Sequence, residues 1–262
     1  MQGGDDTRPV IFGEVLFDQF PDGSAVAGGA PFNVAWHLAA FGADPLFISR
    51  VGNDALGRRI RELMEDWGMD LAGLQLDSAH PTGTVQVSIH DGEPSYEIVA
   101  DRAWDHIDVD ALPPLAGGLL YHGSLALRSG DSAAALAQLR EQLQEVALLD
   151  VNLRAPWWQA PQVLADVGHA RWLKLNGDEL LLLQPQAGDE AEAVAALQRE
   201  GGPPLVVVTH GAAGVTAWPV GADAVHVPTT MTASVVDTVG AGDAFACVLM
   251  LGRRHDWALP LM

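Results

Sequence analysis

The chain has 262 residues, 48% of them hydrophobic and 18% charged, the profile of a folded globular enzyme and not of a disordered chain. A net charge of −20, with scattered arginines and a solitary lysine, Lys174, argues against a nucleic-acid partner, because a phosphate backbone would be repelled. No apolar run approaches the roughly 18 residues that cross a bilayer, the N-terminus lacks a signal-peptide pattern, and the single Cys247 excludes an internal disulfide, so the expectation is a cytoplasmic protein with no membrane partner.

In chain order, Arg8 to Phe17 reads as one buried strand interrupted at Gly13-Glu14. A turn-rich stretch from Pro21 leads to Gly28-Gly29, and Val34, Leu38 and Phe41 then share one helical face, which predicts a helix over about 31–41. Pro45 to Val51 reads as a strand and Asp54 to Trp67 as a helix stopped by Gly68. From Thr82 to Asp101 polar and apolar residues alternate on either side of Asp91-Gly92, the pattern of a hairpin with one wet face. A βα rhythm resumes with a strand at 118–123, a helix over 132–146, and apolar strands at 148–152, 172–176 and 205–209. Short apolar strands alternating with helices indicate a parallel sheet covered on both faces, with ligands at the strands' carboxyl ends. Asp150, Asn152, Asn176, Glu179, Thr209 and Gly211 gather at those ends.

The most informative segment is Val236 to Phe245, where Gly240, Ala241 and Gly242 precede an apolar helix that carries Asp243 in its first turn. Glycines let successive N–H groups converge, and a bare helix N-terminus attracts anions. An anion hole beside a carboxylate suits phosphoryl transfer onto a hydroxyl: the amides of Gly240, Ala241, Gly242 and Asp243 hold the moving charge, and Asp243 takes the proton. The plainer reading is a glycine turn with Asp243 as an ordinary helix-start residue. Gly28 and Gly29 allow close backbone approach, Asn33 offers a donor and acceptors, and Asp18 can accept two hydroxyl hydrogens, although each also fits a turn or helix start. There is no GxxxxGK[ST] loop, no HExxH and no GxSxG, so P-loop, zinc-protease and α/β-hydrolase chemistry lack support.

Gly28 to Ala35 and Asp237 to Asp243 together resemble the two signatures of the ribokinase-like (PfkB) carbohydrate kinases, and the form of the early motif resembles the fructokinase-like members. Arg50 to Gly57, Asp150 to Arg154, Asn176 to Glu179 and Thr209 to Gly214 fall in the family's order. The resemblance implies a single domain over 1–262: a three-layer α/β/α sandwich around a mostly parallel sheet, with a β lid from about 14–27 and 82–103. It implies ATP and Mg2+, with K+ as a further ion, and a small sugar as acceptor. Fructose is favoured over 2-keto-3-deoxygluconate, ribose or a nucleoside; a binding-only relic is the rival from another class. Asp18, Gly28, Gly29, Asn33 and Arg102 would meet the sugar. Asn176, Thr209, Gly211, Gly214 and Arg154 would meet the nucleotide, with Glu179 holding Mg2+ through water and Asp237 near a monovalent cation. Asn176 and Glu179 equally fit a capping box, and Arg154 a surface salt bridge. The resemblance also implies a homodimer through the lid. The chain ends 19 residues after Asp243, short of the family's usual span, where one adenine wall and part of the cation site are expected.

Overall fold

The computed structural model describes residues 7–90, 93–143, 145–230, 238–259 and 262. The apolar runs pair as the rhythm predicts. Among the described residues, β1 (Pro9–Phe12), β4 (Leu46–Gly52), β5 (Leu74–Asp77), β8 (Leu119–His122), β9 (Val146–Asp150), β10 (Ala170–Asn176), β11 (Leu205–Thr209), β12 (Val215–Pro219) and β13 (Val225–Val227) form one sheet. Their order is β13-β12-β11-β10-β9-β8-β1-β4-β5; β11 to β5 run parallel and the last two strands of the chain return antiparallel.

Alternation along each strand splits the core in two. Val10, Phe12, Leu120, Leu149, Leu173, Leu175, Val206 and Val208 face α3 (Gly130–Leu143), α4 (Ala160–Val167), α5 (Gly177–Leu183) and α6 (Glu190–Leu197). Ile11, Phe47, Tyr121, Leu148 and Val207 face α1 (Ala30–Ala40), α2 (Ala55–Asp66) and α7 (Ala241–Arg254). Successive side chains of a strand point to opposite faces, so a strand buried on both sides must be apolar throughout. The result is the expected α/β/α sandwich.

A second sheet, β3-β2-β6-β7, forms the lid from β2 (Leu16–Gln19), β3 (Ala25–Gly28), β6 (Gly83–His90) and β7 (Glu93–Ile98). Here two sequence expectations need correction. Arg8 to Phe17 is not one strand: the chain leaves the central sheet after Phe12, turns through Gly13 and Glu14, and enters the lid at Leu16. The apolar pattern continues across the break because both pieces are buried, so composition hides the change of sheet. The helix expected over 132–146 closes at Leu143, and Val146 already begins β9. The lid stays close to the body because β2 and β3 are followed at once by α1, and the hairpin returns at a 3-10 turn over Ala103–His106.

Candidate active site

Parallel strands carry their carboxyl ends to one edge, and Glu14, Asp150, Asn176 and Thr209 line it in the order β1, β9, β10, β11. Asn176 and Thr209 are paired in register. The floor is more charged than its surroundings predict. Lys174 Nζ donates to both Asp150 oxygens, at 2.9 and 2.8 Å, in a pair that is almost wholly buried. Tyr121 Oη donates to Asp150 at 3.5 Å, and burial together with the Asp150 charge pushes that phenol well above its ordinary range. A side chain at Gly242 would start 3.5 Å from Lys174 Nζ, so the ammonium sits directly under the first turn of α7.

Gly240 adopts φ 78°, a left-handed conformation that glycine reaches without strain, and starts α7 there. The first-turn amides have no intrahelical acceptor. One correction applies: Ala241 N–H donates to Thr238 O at 3.1 Å, which leaves Gly242 and Asp243 as the first-turn donors facing outward from α7. The N–H groups of this helix start favour an anion there, while the charge of Lys174 below them is offset by Asp150.

Asp243 is the group opposite. Its Oδ2 accepts from Asn33 Nδ2 at 2.7 Å, a contact across 210 residues that joins the early glycine motif to the late one. Burial raises the Asp243 pKa above the usual carboxylate value; the Asn33 bond pulls it down, Asp150 pushes it up, and Lys174 and Arg154 pull it down. Gly29, at φ 110°, caps α1, and a Cβ there would lie 2.7 Å from Glu14 O, so only glycine lets this turn close over β1. Asp18 Oδ2 lies 3.4 Å from the place a Gly28 side chain would start, and burial raises its pKa. Asp18, Gly28, Gly29, Asn33 and Asp243 thus form one continuous rim.

Other predicted residues are distributed less simply. Asn176 and Glu179 do form a capping box: Asn176 Oδ1 accepts from Glu179 N–H, and Glu179 Oε2 from Asn176 N–H. Glu179 Oε1 also accepts from Leu153 N–H at 2.8 Å, tying the loop after β9 to α5. Burial raises the Glu179 pKa. Gly211 and Gly214 bound a 3-10 turn after Thr209, and Thr229 Oγ1 donates to Gly211 O at 3.1 Å. Arg154 is exposed, yet its charge reaches both Glu14 and Asp243. Arg102 stands apart at the lid root, where its N–H donates to Asp105 and its charge acts on Asp101. Its Nε is buried without a hydrogen-bond partner among the described residues. Asp237 lies outside the described residues.

Sequence reasoning assigned no role to two members of this floor, Lys174 and Glu14. The first carries a signal, since a lone lysine inside Trp172-Leu173-Lys174-Leu175 interrupts a buried strand. Glu14, in the turn between β1 and β2, carries the same signal as a lone carboxylate in an apolar run. It is 3% exposed, its Oε2 has no hydrogen-bond partner among the described residues, and burial lifts its pKa to about 7.

Comparison with known proteins gives the family. The sequence model described as pfkB family carbohydrate kinase matches residues 10–259. The fructokinase of Klebsiella pneumoniae is 34% identical over 257 residues, covering 92% of this chain and 83% of that protein. The fructokinase of Vibrio cholerae O395 with fructose, ADP and calcium bound superposes with a TM-score of 0.79 at 31% identity, covering 95% of this chain and 85% of the other. The ATP-bound fructokinase of Xylella fastidiosa gives 0.84 at 25% identity, covering 94% and 81%.

Proposed function

The chain belongs to the pfkB family of carbohydrate kinases, and from that premise we propose that it phosphorylates fructose, with Asp243 as the base. It is an ATP-dependent sugar kinase. The observation that carries the assignment of the base is the 2.7 Å bond from Asn33 to Asp243, which sets a desolvated carboxylate between the sugar-side rim and the first turn of α7.

On this reading Asp18 and Asn33 hold the sugar hydroxyls, with Gly28 and Gly29 allowing its close approach. Asp243 Oδ accepts the proton of the reacting hydroxyl while the hydroxyl oxygen forms its bond to the γ-phosphorus. The bond from that phosphorus to the bridging oxygen breaks, and ADP leaves with the electron pair. Gly242 and Asp243 N–H groups stabilise the charge on the transferring oxygens, which is worth most in a site closed to water. A carboxylate made more basic by burial is a better proton acceptor near neutral pH than an exposed one. Arg102, at the lid root, is the remaining sugar-side candidate.

Asn176, Thr209, Gly211, Gly214 and Arg154 would receive the nucleotide phosphates and ribose. The donor set fits Mg2+ held through water: each Glu179 oxygen accepts one backbone N–H and keeps a lone pair for a water hydrogen. When bound, the ion neutralises charge on the phosphates. K+ beside Asp237 belongs to the same reading. So does a homodimer through the lid, whose sheet exposes Val26 and Tyr96 by more than half. No helix among the described residues is long and apolar enough to cross a membrane. The lone buried thiol, Cys247, fits the reducing cytoplasm we propose as its location.

The test is ADP release with ATP·Mg2+ against fructose, glucose, ribose, adenosine, 2-keto-3-deoxygluconate and no sugar. Turnover confined to fructose is expected. Preferential turnover of another acceptor would replace fructose in this reading, and ligand binding without any turnover would make the chain a binding protein.

A further inference from the structure

Away from the reacting centre, the two strands of the lid hairpin join the body through segments that carry His80, Asp101 and His106. His80 lies between β5 and β6, Asp101 follows β7, and His106 ends the 3-10 turn that begins at Ala103. One nitrogen of each ring and one oxygen of Asp101 lie within 4.8 Å of one another. His106 Nε2 is 2.9 Å and His80 Nε2 3.8 Å from the same oxygen, Asp101 Oδ1. From these contacts we infer that the lid root is a binding site for one zinc-class dication, with His80 Nε2, His106 Nε2 and Asp101 Oδ1 as its ligands.

The far side of each ring supports that assignment. His80 Nδ1 pairs with Asp77 Oδ2 at 2.9 Å and His106 Nδ1 with Asp131 Oδ2 at 2.8 Å. Metal-bound imidazoles characteristically give their other N–H to a carboxylate, which fixes the tautomer and the ring orientation. Here both rings have that partner, so both Nε2 atoms are left to face Asp101. Asp77 is itself braced: it is 2% exposed, accepts from Ala79 and His80 N–H, and lies 3.3 Å from Arg50 Nε. Arg50 also donates to His106 O, locking the two histidine segments together.

The charges fit a dication. Arg50 offsets Asp77, while Asp101 and Asp131 remain, with Arg102 the other cation near Asp101. Two imidazole nitrogens and one carboxylate oxygen match Zn2+, Co2+ or Ni2+ and not Mg2+ or Ca2+, which take oxygen ligands. Ligand atoms around a tetrahedral Zn2+ with bonds near 2.0–2.1 Å stand about 3.3 Å apart, close to the spacings already present. The rings are stacked with centroids 3.7 Å apart and planes 13° from parallel. Ring lone pairs lie in the ring planes, so an ion enters by tilting the stack open. Asp101 is largely exposed, which leaves a coordination position for water. Among the described residues no other set of three His, Cys, Asp or Glu side chains converges in this way.

The site does not depend on which sugar is phosphorylated, and its test needs no turnover. Tag-free, chelator-stripped protein is titrated with ZnCl2 by calorimetry, and separately with Co2+ while the visible absorption is followed. The expected result is one ion per chain and the intense d–d bands of a four-coordinate Co2+. Asp101→Asn and His106→Ala, each checked for an unchanged circular dichroism spectrum, should abolish both signals. Asp131→Asn, which removes only the outer partner of His106, should weaken binding about 10–100-fold. Zn2+ should also slow amide exchange at residues 77–83 and 99–106. Absence of binding to the folded wild-type chain, or binding that survives Asp101→Asn and His106→Ala alike, overturns the site. Should His106→Ala fail to fold, Asp101→Asn decides alone, since its side chain is exposed.

Discussion

The floor of the site and the root of the lid use the same residue type in opposite ways. On the floor, burial lifts Glu14 to about 7 and raises Glu179 and Asp243. At the root, carboxylates are held below their ordinary values. For Asp54 and Asp77 burial pushes upward but backbone N–H groups outweigh it, from Thr82 and Gly57 in one case and Ala79 and His80 in the other. For Asp101 the His106 hydrogen bond dominates. Desolvation disfavours the charged form, whereas donated hydrogen bonds favour it. Burial therefore wins on the floor, furthest at Glu14, whereas at Asp54 and Asp77 donated backbone hydrogen bonds win.

The contrast can be broken most severely at Asp243. Asp243→Asn keeps the shape and the Asn33 neighbour but cannot accept a proton, so kcat should fall by at least about 10²–10⁴-fold with little change in sugar binding. Near-normal turnover would remove Asp243 as the base. Next in size is Lys174→Met, which strands a buried Asp150; breaking such a pair costs about 3–5 kcal/mol, read as a lower urea midpoint. An unchanged midpoint would mean that the floor charges are not coupled.

Glu14→Gln sharpens the comparison through pH. The folded state holds the Glu14 proton up to about 7, whereas an ordinary glutamate releases it near 4.5. Between those values the folded chain binds more protons than the unfolded one, so stability from this group is present at low pH and is lost as pH rises through 7. At about 1.4 kcal/mol per unit, the loss reaches about 3 kcal/mol at most. The variant should match wild type near pH 4 and become the more stable of the two by about pH 8; parallel stability curves would contradict this. The smallest effect is expected at the root. Thr82→Val removes the hydroxyl that donates to Asp54 at 2.8 Å and accepts from Gly52 N–H at 3.0 Å. It should cost about 1–3 kcal/mol and raise the KM for sugar more than it changes kcat. A kcat loss like that of Asp243→Asn would erase the distinction between root and floor.

The elements legible in the sequence are those whose signal is local. Strand alternation and run length give the parallel sheet, and Asp91-Gly92 lies where the alternating pattern reverses, so the hairpin is visible in advance. The glycines before Asp243 mark the tight turn that starts α7 because its geometry is made by consecutive residues. What stays hidden depends on contacts between distant segments. The turn at Gly13-Glu14 changes sheets without changing burial, so it reads as an interruption within one strand. Asn33 and Asp243 are each candidates in the sequence, but nothing there shows that the fold sets them 2.7 Å apart. Glu179 satisfies a capping box and clamps Leu153 at once, a double use that spacing alone cannot reveal. The lid-root histidines are scattered in sequence between unrelated elements and meet only where the hairpin rejoins the body.

The solitary lysine has a practical corollary. With Lys174 only 7% exposed and paired to Asp150, no side-chain amine stands on the outer surface of this protein. Acylating reagents that decorate most proteins at dozens of places would here find one side chain, buried under the first turn of α7. Covalent modification at that nitrogen becomes a single-site chemical reporter, its rate tracking how often the first turn of α7 exposes it.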